Sequence, residues 1–295
     1  MKLNSIKLIV SCLTLFLSVN AFAQEFQGKA YYFSKTSIDM SNFGGRQMSE
    51  DIKKQIAERM KSMFEKVYVL TFNKEESSYK EDEALEAPGQ GGGRGFRMMM
   101  GSFTGGAQYK NVKTQRMLQE QEFFGKQFLV NDELKKLDWK LGSETKQIGK
   151  YLCMKATAMK PVDELDFNSL GRRGNNQEEA EKSKDSTNTK SVTEDIEMPK
   201  EIEVTAWYTL QIPINQGPSE YWGLPGLILE INADRTTILC SKIIMNPSEK
   251  EAIKMPSKGK KVNQKEYNEI IKKKMEEMRE MRGRGRQRGG AHIRG

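Results

Sequence analysis

Through most of this chain, apolar and polar positions alternate with a period of two. From Glu201 to Leu210, the residues Ile202, Val204, Ala206, Tyr208 and Leu210 fall on one side. Glu201, Glu203, Thr205, Trp207 and Thr209 fall on the other, the pattern of a strand with one buried face. Lys66 to Phe72 is β-branched and aromatic without Gly or Pro and predicts another strand. Glu25–Lys35 and Ser77–Glu83 read likewise, as do Tyr109–Thr114, Arg116–Phe123, Lys126–Val130, Leu137–Leu141 and Glu144–Met159. Gly125, Asn131-Asp132 and Gly142-Ser143 punctuate the middle group as turns. Leu227–Ile231 and Thr236–Ile244 flank Asn232-Ala233-Asp234-Arg235, which predicts a hairpin with a four-residue loop. Short strands at near-regular spacing predict an antiparallel meander in place of βαβ units.

The period changes twice. Met48, Ile52, Ile56, Met60 and Phe64 recur every four residues, with Glu50 and Asp51 in the first turn, so an amphipathic helix of about four turns is expected from Ser49 onward. Near the end, Asn263 and Glu266 form a capping pair for a helix whose apolar positions are Tyr267, Ile270, Ile271, Met275 and Met278. Gly283 is expected to stop it. The fold expectation is therefore mainly β: a curved antiparallel sheet or open barrel with two accessory α-helices. It occupies residues 24–261, followed by the helix over 262–282 and an Arg/Gly-rich tail over 283–295.

Two stretches have no usable period. Residues 86–107 are rich in Gly, Met and Arg; residues 161–199 are polar and poor in aromatics. Neither buries enough apolar surface to offset the entropy of ordering it, so both are expected to be disordered loops.

The first 23 residues read as a secretory leader. Lys2 and Lys7 precede an apolar run from Leu8 to Val19, and Ala21-Phe22-Ala23 gives a small-x-small cleavage pattern. Cleavage after Ala23 would place the mature chain in the periplasm or in association with the outer membrane. Cys12 leaves with the leader, so Cys153 and Cys240 remain. In an oxidising compartment the pair is a disulfide candidate, contributing about 4–5 kcal/mol on the chain-entropy model. The alternative is two buried thiols acting as small hydrophobes.

The formal net charge of +8 is unevenly placed. From Lys272 to Gly295 there are nine Lys or Arg against three Glu, so the basicity belongs to the tail and not to a binding face. Its Arg-Gly pattern resembles RNA-binding repeats, but export argues against nucleic acid as a partner. Anionic lipid, polysaccharide or another envelope protein is the better expectation, with peripheral membrane contact through the tail. A merely solubilising tail is the plain alternative.

At Gly223-Leu224-Pro225-Gly226-Leu227-Ile228 the chain carries a complete signature hexapeptide. It resembles the GLPGLI family, exported proteins of Gram-negative bacteria. Leu137–Leu141, Thr145–Thr157, Ala206–Thr209, Ile212-Pro213-Ile214 and Gly217-Pro218 extend the resemblance in the expected order. The polar insert, the Gly/Met/Arg loop and the Arg-Gly tail depart from the family pattern. The resemblance implies compartment and class but brings no activity.

Physically, the hexapeptide predicts a rigid corner. Gly223 and Gly226 allow backbone angles closed to other residues, Pro225 fixes one angle, and Leu224, Leu227 and Ile228 anchor the turn. A ligand-facing reading would use Trp207, Tyr208, Tyr221 and Trp222 as an aromatic platform. Catalysis finds little support. The only histidine is His292, three residues from the end, which removes a His-based nucleophile pair or metal site. No cofactor is implied, and the chain reads as a binding or assembly-accessory protein, not an enzyme. The alternatives are a soft-metal protein, with Met98-Met99-Met100 and with Met275, Met278 and Met281 offering thioethers that suit copper(I), and an unrecognised hydrolase. Ser186, within Asp185-Ser186-Thr187, fits a short O-glycosylation signal.

Overall fold

In the computed structural model the described residues are 26–37, 64–82, 105–162, 201–249 and 251–289, with positions 49, 51, 54, 55 and 58. They form one open sheet of twelve strands and one helix. The strands are β1 (Gly28–Thr36), β2 (Glu65–Phe72), β3 (Glu76–Glu81), β4 (Gly105–Asn111), β5 (Arg116–Phe123) and β6 (Lys126–Glu133). They continue with β7 (Lys140–Ile148), β8 (Tyr151–Pro161), β9 (Glu201–Thr209), β10 (Leu227–Ala233), β11 (Thr236–Met245) and β12 (Lys260–Val262). Helix α1 is Gln264–Gly289.

The order across the sheet is β12-β6-β5-β4-β3-β2-β1-β11-β10-β9-β8-β7. Eleven strands pair antiparallel, as the meander pattern requires, and β12 adds parallel to β6. Strand β1 sits between β2 and β11, so the first strand joins two meanders into one sheet.

Register defines the faces. Leu70 opposes both Ala30 and Tyr79, and Tyr79 opposes Gln108, so all four lie on one face. Phe72, Ser77 and Lys110 form the next row on that face. At the other end, Ile231, Ala206 and Ala156 continue it. Most of this inner face is sealed in one apolar cluster with Tyr32, Leu70, Phe72, Tyr208, Leu224, Leu227 and Ile228. Helix α1 covers the β6 end, where Tyr267 and Ile271 bury against Phe128, Val130 and Val262. The opposite face is crossed by the chain between β11 and β12, whose Ile253 packs on Tyr109, Leu118 and Leu129. Glu251 anchors that crossing: its carbonyl accepts from Gln27 Nε2 at 2.6 Å, and its carboxylate pairs with Lys29 at 2.6 Å.

Several expectations need correction. Gly142-Ser143 is not a turn. Strand β7 runs through it as an irregularity, the register skipping from Leu141 to Thr145. The reversal falls at Gly149-Lys150, where Gly149 has a φ of 57°. Asn232-Ala233-Asp234-Arg235 is not a four-residue loop. Ala233 opposes Thr236, leaving Asp234-Arg235 as the turn, and Asp234 adopts a φ of 50°. Aspartate tolerates this left-handed region better than most residues. Strand β4 begins at Gly105, inside the stretch assigned to a loop. Helix α1 passes Gly283 and ends at Gly289. The arginines that alternate with its glycines are good helix formers and partly offset glycine's cost of about 1 kcal/mol each. The capping pair is in place: Asn263 Oδ1 accepts from the Glu266 amide at 2.8 Å, and the Glu266 carboxylate accepts from the Asn263 amide at 3.1 Å. The helix expected from Ser49 falls largely outside the described residues, as do the leader, most of 86–107, and 163–200.

Candidate functional site

The segment between β9 and β10 lies over the inner face and ends in the Gly223–Ile228 corner. Backbone bonds fold it, among them Gly223 N donating to Asn215 O at 3.1 Å, Leu227 N to Ile212 O at 2.9 Å and Ile228 N to Gln216 O at 3.1 Å. Gly223 takes a φ of +91°, a conformation L side chains rarely adopt. Gly226 presses against β9, where an added Cβ would lie 2.0 Å from the Thr209 carbonyl oxygen. Leu224, Leu227 and Ile228 are buried, while Pro225 is exposed.

Beneath this segment lies a polar cradle built by β3 and β4. Ser77 and Lys110 oppose each other in register. Ser77 Oγ donates to Gln216 Oε1 at 2.9 Å. Lys110 Nζ donates to the carbonyls of Gly217 at 2.6 Å and Tyr221 at 3.2 Å. Lys110 is fully buried, and burial pulls its amine down to about 7 although Glu220 nearby favours the charged form. A neutral amine has two N–H groups, which matches the two carbonyls. The Nε2 of Gln216 is buried without a hydrogen-bond partner.

Glu220 closes the cradle. Burial pushes its carboxyl up, but the Lys160 ammonium and the Ser219 hydroxyl outweigh this and hold it at about 2. Lys160 also stands 5.6 Å over the Tyr221 ring. Tyr68 and Tyr79 stack at 4.8 Å, and burial with the Glu81 charge pushes the Tyr68 phenol up to about 12. Tyr32 donates from its hydroxyl to Ile228 O at 2.7 Å, tying β1 to the start of β10.

The four expected aromatics are not brought together. Tyr208 and Tyr221 are buried in the inner core. Trp222 is buried, its Nε1 donating to Lys135 O at 3.0 Å, while Trp139 Nε1 donates to Trp222 O at 2.8 Å. Trp207 points to the opposite face, where Lys146 stands 5.3 Å over its ring and pairs with Glu230 at 2.6 Å. Strand alternation separates Trp207 from Tyr208, so no continuous platform forms.

Cys153 and Cys240 stand as free, buried thiols in one core cluster, not as a disulfide. Burial raises them to about 11 and about 12, which keeps both protonated and poorly nucleophilic. Met275 is spent partly on packing against the helix-side core, and Met281 is 61% exposed. Among the described residues no three His, Cys, Asp or Glu gather as a metal site. Ser186, His292 and Met98-Met99-Met100 lie outside the described residues. The Lys110 cradle escaped the sequence reading, because a lysine in an alternating strand reads as solvent-facing.

Residues 139–230, from Trp139 through the corner to Glu230, match a family model described as a protein of unknown function (Porph_ging). No curated protein matches. Among solved structures, PNGF-II in a C2 crystal form is similar at 12% identity and a TM-score of 0.44, covering 83% of this chain and 32% of that one. PNGF-II in a P21 form gives the same identity and TM-score, with 33% of its chain covered. The chain thus spans about a third of the length of those structures. Among the described residues no helix is long and apolar enough to cross a membrane.

Proposed function

We propose that this is an exported binding or assembly-accessory protein of the bacterial cell envelope that captures an extended polypeptide on the β7 edge of its sheet. The observation that carries this is β7 itself. It is the terminal strand, nine residues long, and all but Gly142 and Ile148 are exposed. Its outward backbone groups offer a template for one more strand. The irregularity at Leu141–Thr145 blunts one end only, leaving Thr145 to Ile148 in regular register. On the inner face beside this edge, Leu141 is 61% and Leu152 58% exposed, so the guest strand would present apolar residues at alternate positions.

We also infer that the sheet is curved. The chain passes from Glu133 to Lys140 in seven Cα steps, at most about 25 Å. Ten strand spacings separate β6 from β7, roughly 48 Å in a flat sheet. The leader pattern of Lys2 to Ala23 supports export, and the hexapeptide supports grouping the chain with GLPGLI proteins.

The test uses synthetic decapeptides that alternate apolar and polar residues, with backbone amide exchange as the readout. Binding should slow exchange along Thr145–Ile148, and N-methylation of alternate peptide amides should abolish it. Binding that survives methylation, or protection confined to another element, rejects the reading.

A further inference from the structure

We propose that an apolar row on the sheet face opposite the main core is an intramolecular docking surface, and that its occupant is this chain's own segment between β1 and β2, residues 38–63. Phe33 on β1 opposes Val67 on β2 and Leu239 on β11, so the three stand side by side across neighbouring strands. They share the face of Trp207, because Leu239 opposes Glu230 and Glu230 opposes Trp207. Phe33 is 37%, Val67 38% and Leu239 38% exposed. Apolar residues exposed singly need no explanation, but a contiguous row marks a surface that something covers.

The rows on either side have their own partners. Toward the strand ends, Lys35 pairs with Glu65 at 3.1 Å. In the other direction, Tyr31 has the Lys242 ammonium 5.4 Å over its ring, and Val69 opposite it is buried. The crossing between β11 and β12 is fastened at Lys29 by Glu251, about 13 Å along β1 from Phe33. It then runs to Tyr109, Leu118 and Leu129, away from the row. The inner face at this level is different: Ser34 stands between Ile238, which is buried, and Lys66, which pairs with Glu81 at 2.6 Å.

The chain itself supplies the occupant. Strand β1 ends at Thr36 and β2 begins at Glu65, with Lys35 directly opposite Glu65. The chain thus leaves and returns one strand apart, beside the row, yet the connection far exceeds the about two to five residues of a hairpin loop. Within it, Asp51, Lys54, Gln55 and Glu58 are helical and exposed, and their spacing makes one polar stripe. Phe64, also helical, is half-buried where it joins Glu65. In the sequence, Ile52, Ile56, Met60 and Phe64 recur every four residues, out of phase with that stripe. A helix from Asp51 to Phe64 rises about 20 Å, enough to cover the roughly 10 Å from β2 to β11. Docking turns the exposed polar stripe outward and buries two apolar surfaces against each other. This inference does not depend on capture at β7.

The experiment places the photo-cross-linker p-benzoylphenylalanine at position 33 of the full chain. After irradiation, peptide mass spectrometry should find the cross-link within residues 48–63 of the same chain. Ile56→Asp should lower that yield by about tenfold or more, since docking would bury an unpaired carboxylate. Gln55→Asp, on the exposed stripe, should leave the yield unchanged, and Ile56→Leu should keep it close to the parent's. A cross-link to a second chain, seen as a covalent dimer, overturns the proposal in favour of self-association through this face. Products confined to neighbouring strands overturn it, as does a yield that Ile56→Asp leaves unchanged.

Discussion

Lys110 on β4 reaches through the core to donate to the carbonyl oxygen of Gly217 at 2.6 Å, joining residues 107 positions apart. The bond fastens the segment over the inner face to the strands beneath it. Its energetic sign depends on pH. The folded amine titrates near 7 and the ordinary value is 10.5, so between those values the unfolded chain binds more protons. Stability from this group is complete above 10.5 and is lost as pH falls through 7. The unfolding free energy from urea titrations should rise from pH 7 to 9, by roughly 1 kcal/mol per pH unit. Lys110→Met should flatten that rise and destabilise at pH 9 by about 2 kcal/mol, since two buried carbonyls lose their donor. A wild-type curve that falls between pH 7 and 9 contradicts this assignment.

Glu220 behaves in the opposite sense. Its carboxyl is held at about 2 against an ordinary 4.5, so its contribution is present above 4.5 and disappears as pH drops through 2. The pair with Lys160 is a third exposed, which screens it to about 1 kcal/mol or less. Lys160→Met should shrink the loss of stability between pH 4.5 and 2.5, read from thermal midpoints at low salt. An unchanged acid limb would show that Lys160 does not hold the carboxylate.

The corner makes a graded prediction. Gly226→Ala drives a Cβ against the Thr209 carbonyl and should cost about 3 kcal/mol or abolish folding. Gly223→Ala meets backbone strain and a movable Lys136 side chain, so it should cost about 1–2 kcal/mol. Pro225→Ala, at an exposed position, should cost less than about 1 kcal/mol. Chemical denaturation would order the three; a different order refutes the packing account of the hexapeptide.

Free thiols predict a labelling pattern. Native protein at pH 8 should resist alkylation at Cys153 and Cys240, since both are buried and protonated. Unfolding in urea without reductant should admit an alkyl group at each of Cys153 and Cys240, located by peptide mass. A denatured chain that takes none at either position carries the bridge after all.

Alternation made most of the sheet legible, because one face of each strand must be apolar wherever a core exists. Glu201–Leu210 reads almost directly as β9. Punctuation was less reliable. Gly142-Ser143 carries the composition of a turn, yet β8 supplies a partner on both sides of it, and pairing carries the strand through. Strand β12 was invisible, since three residues hold no period; it exists only because β6 offers an edge. Lys110 was unreadable for a different reason. Its burial is decided by Gly217 and Tyr221, far along the chain, and nothing local marks it.

The crossing between β11 and β12 has a consequence for how the molecule comes into being. Ile253, Val262, Tyr267 and Ile271 all belong to the last fifty residues, yet they cover apolar side chains on β4, β5 and β6. As the chain emerges residue by residue, those strands wait with Leu118, Phe128 and Val130 bare until the final segment arrives. A nascent chain stopped at Met245 is therefore a sticky species, and any holdase meeting this protein would find its grip there.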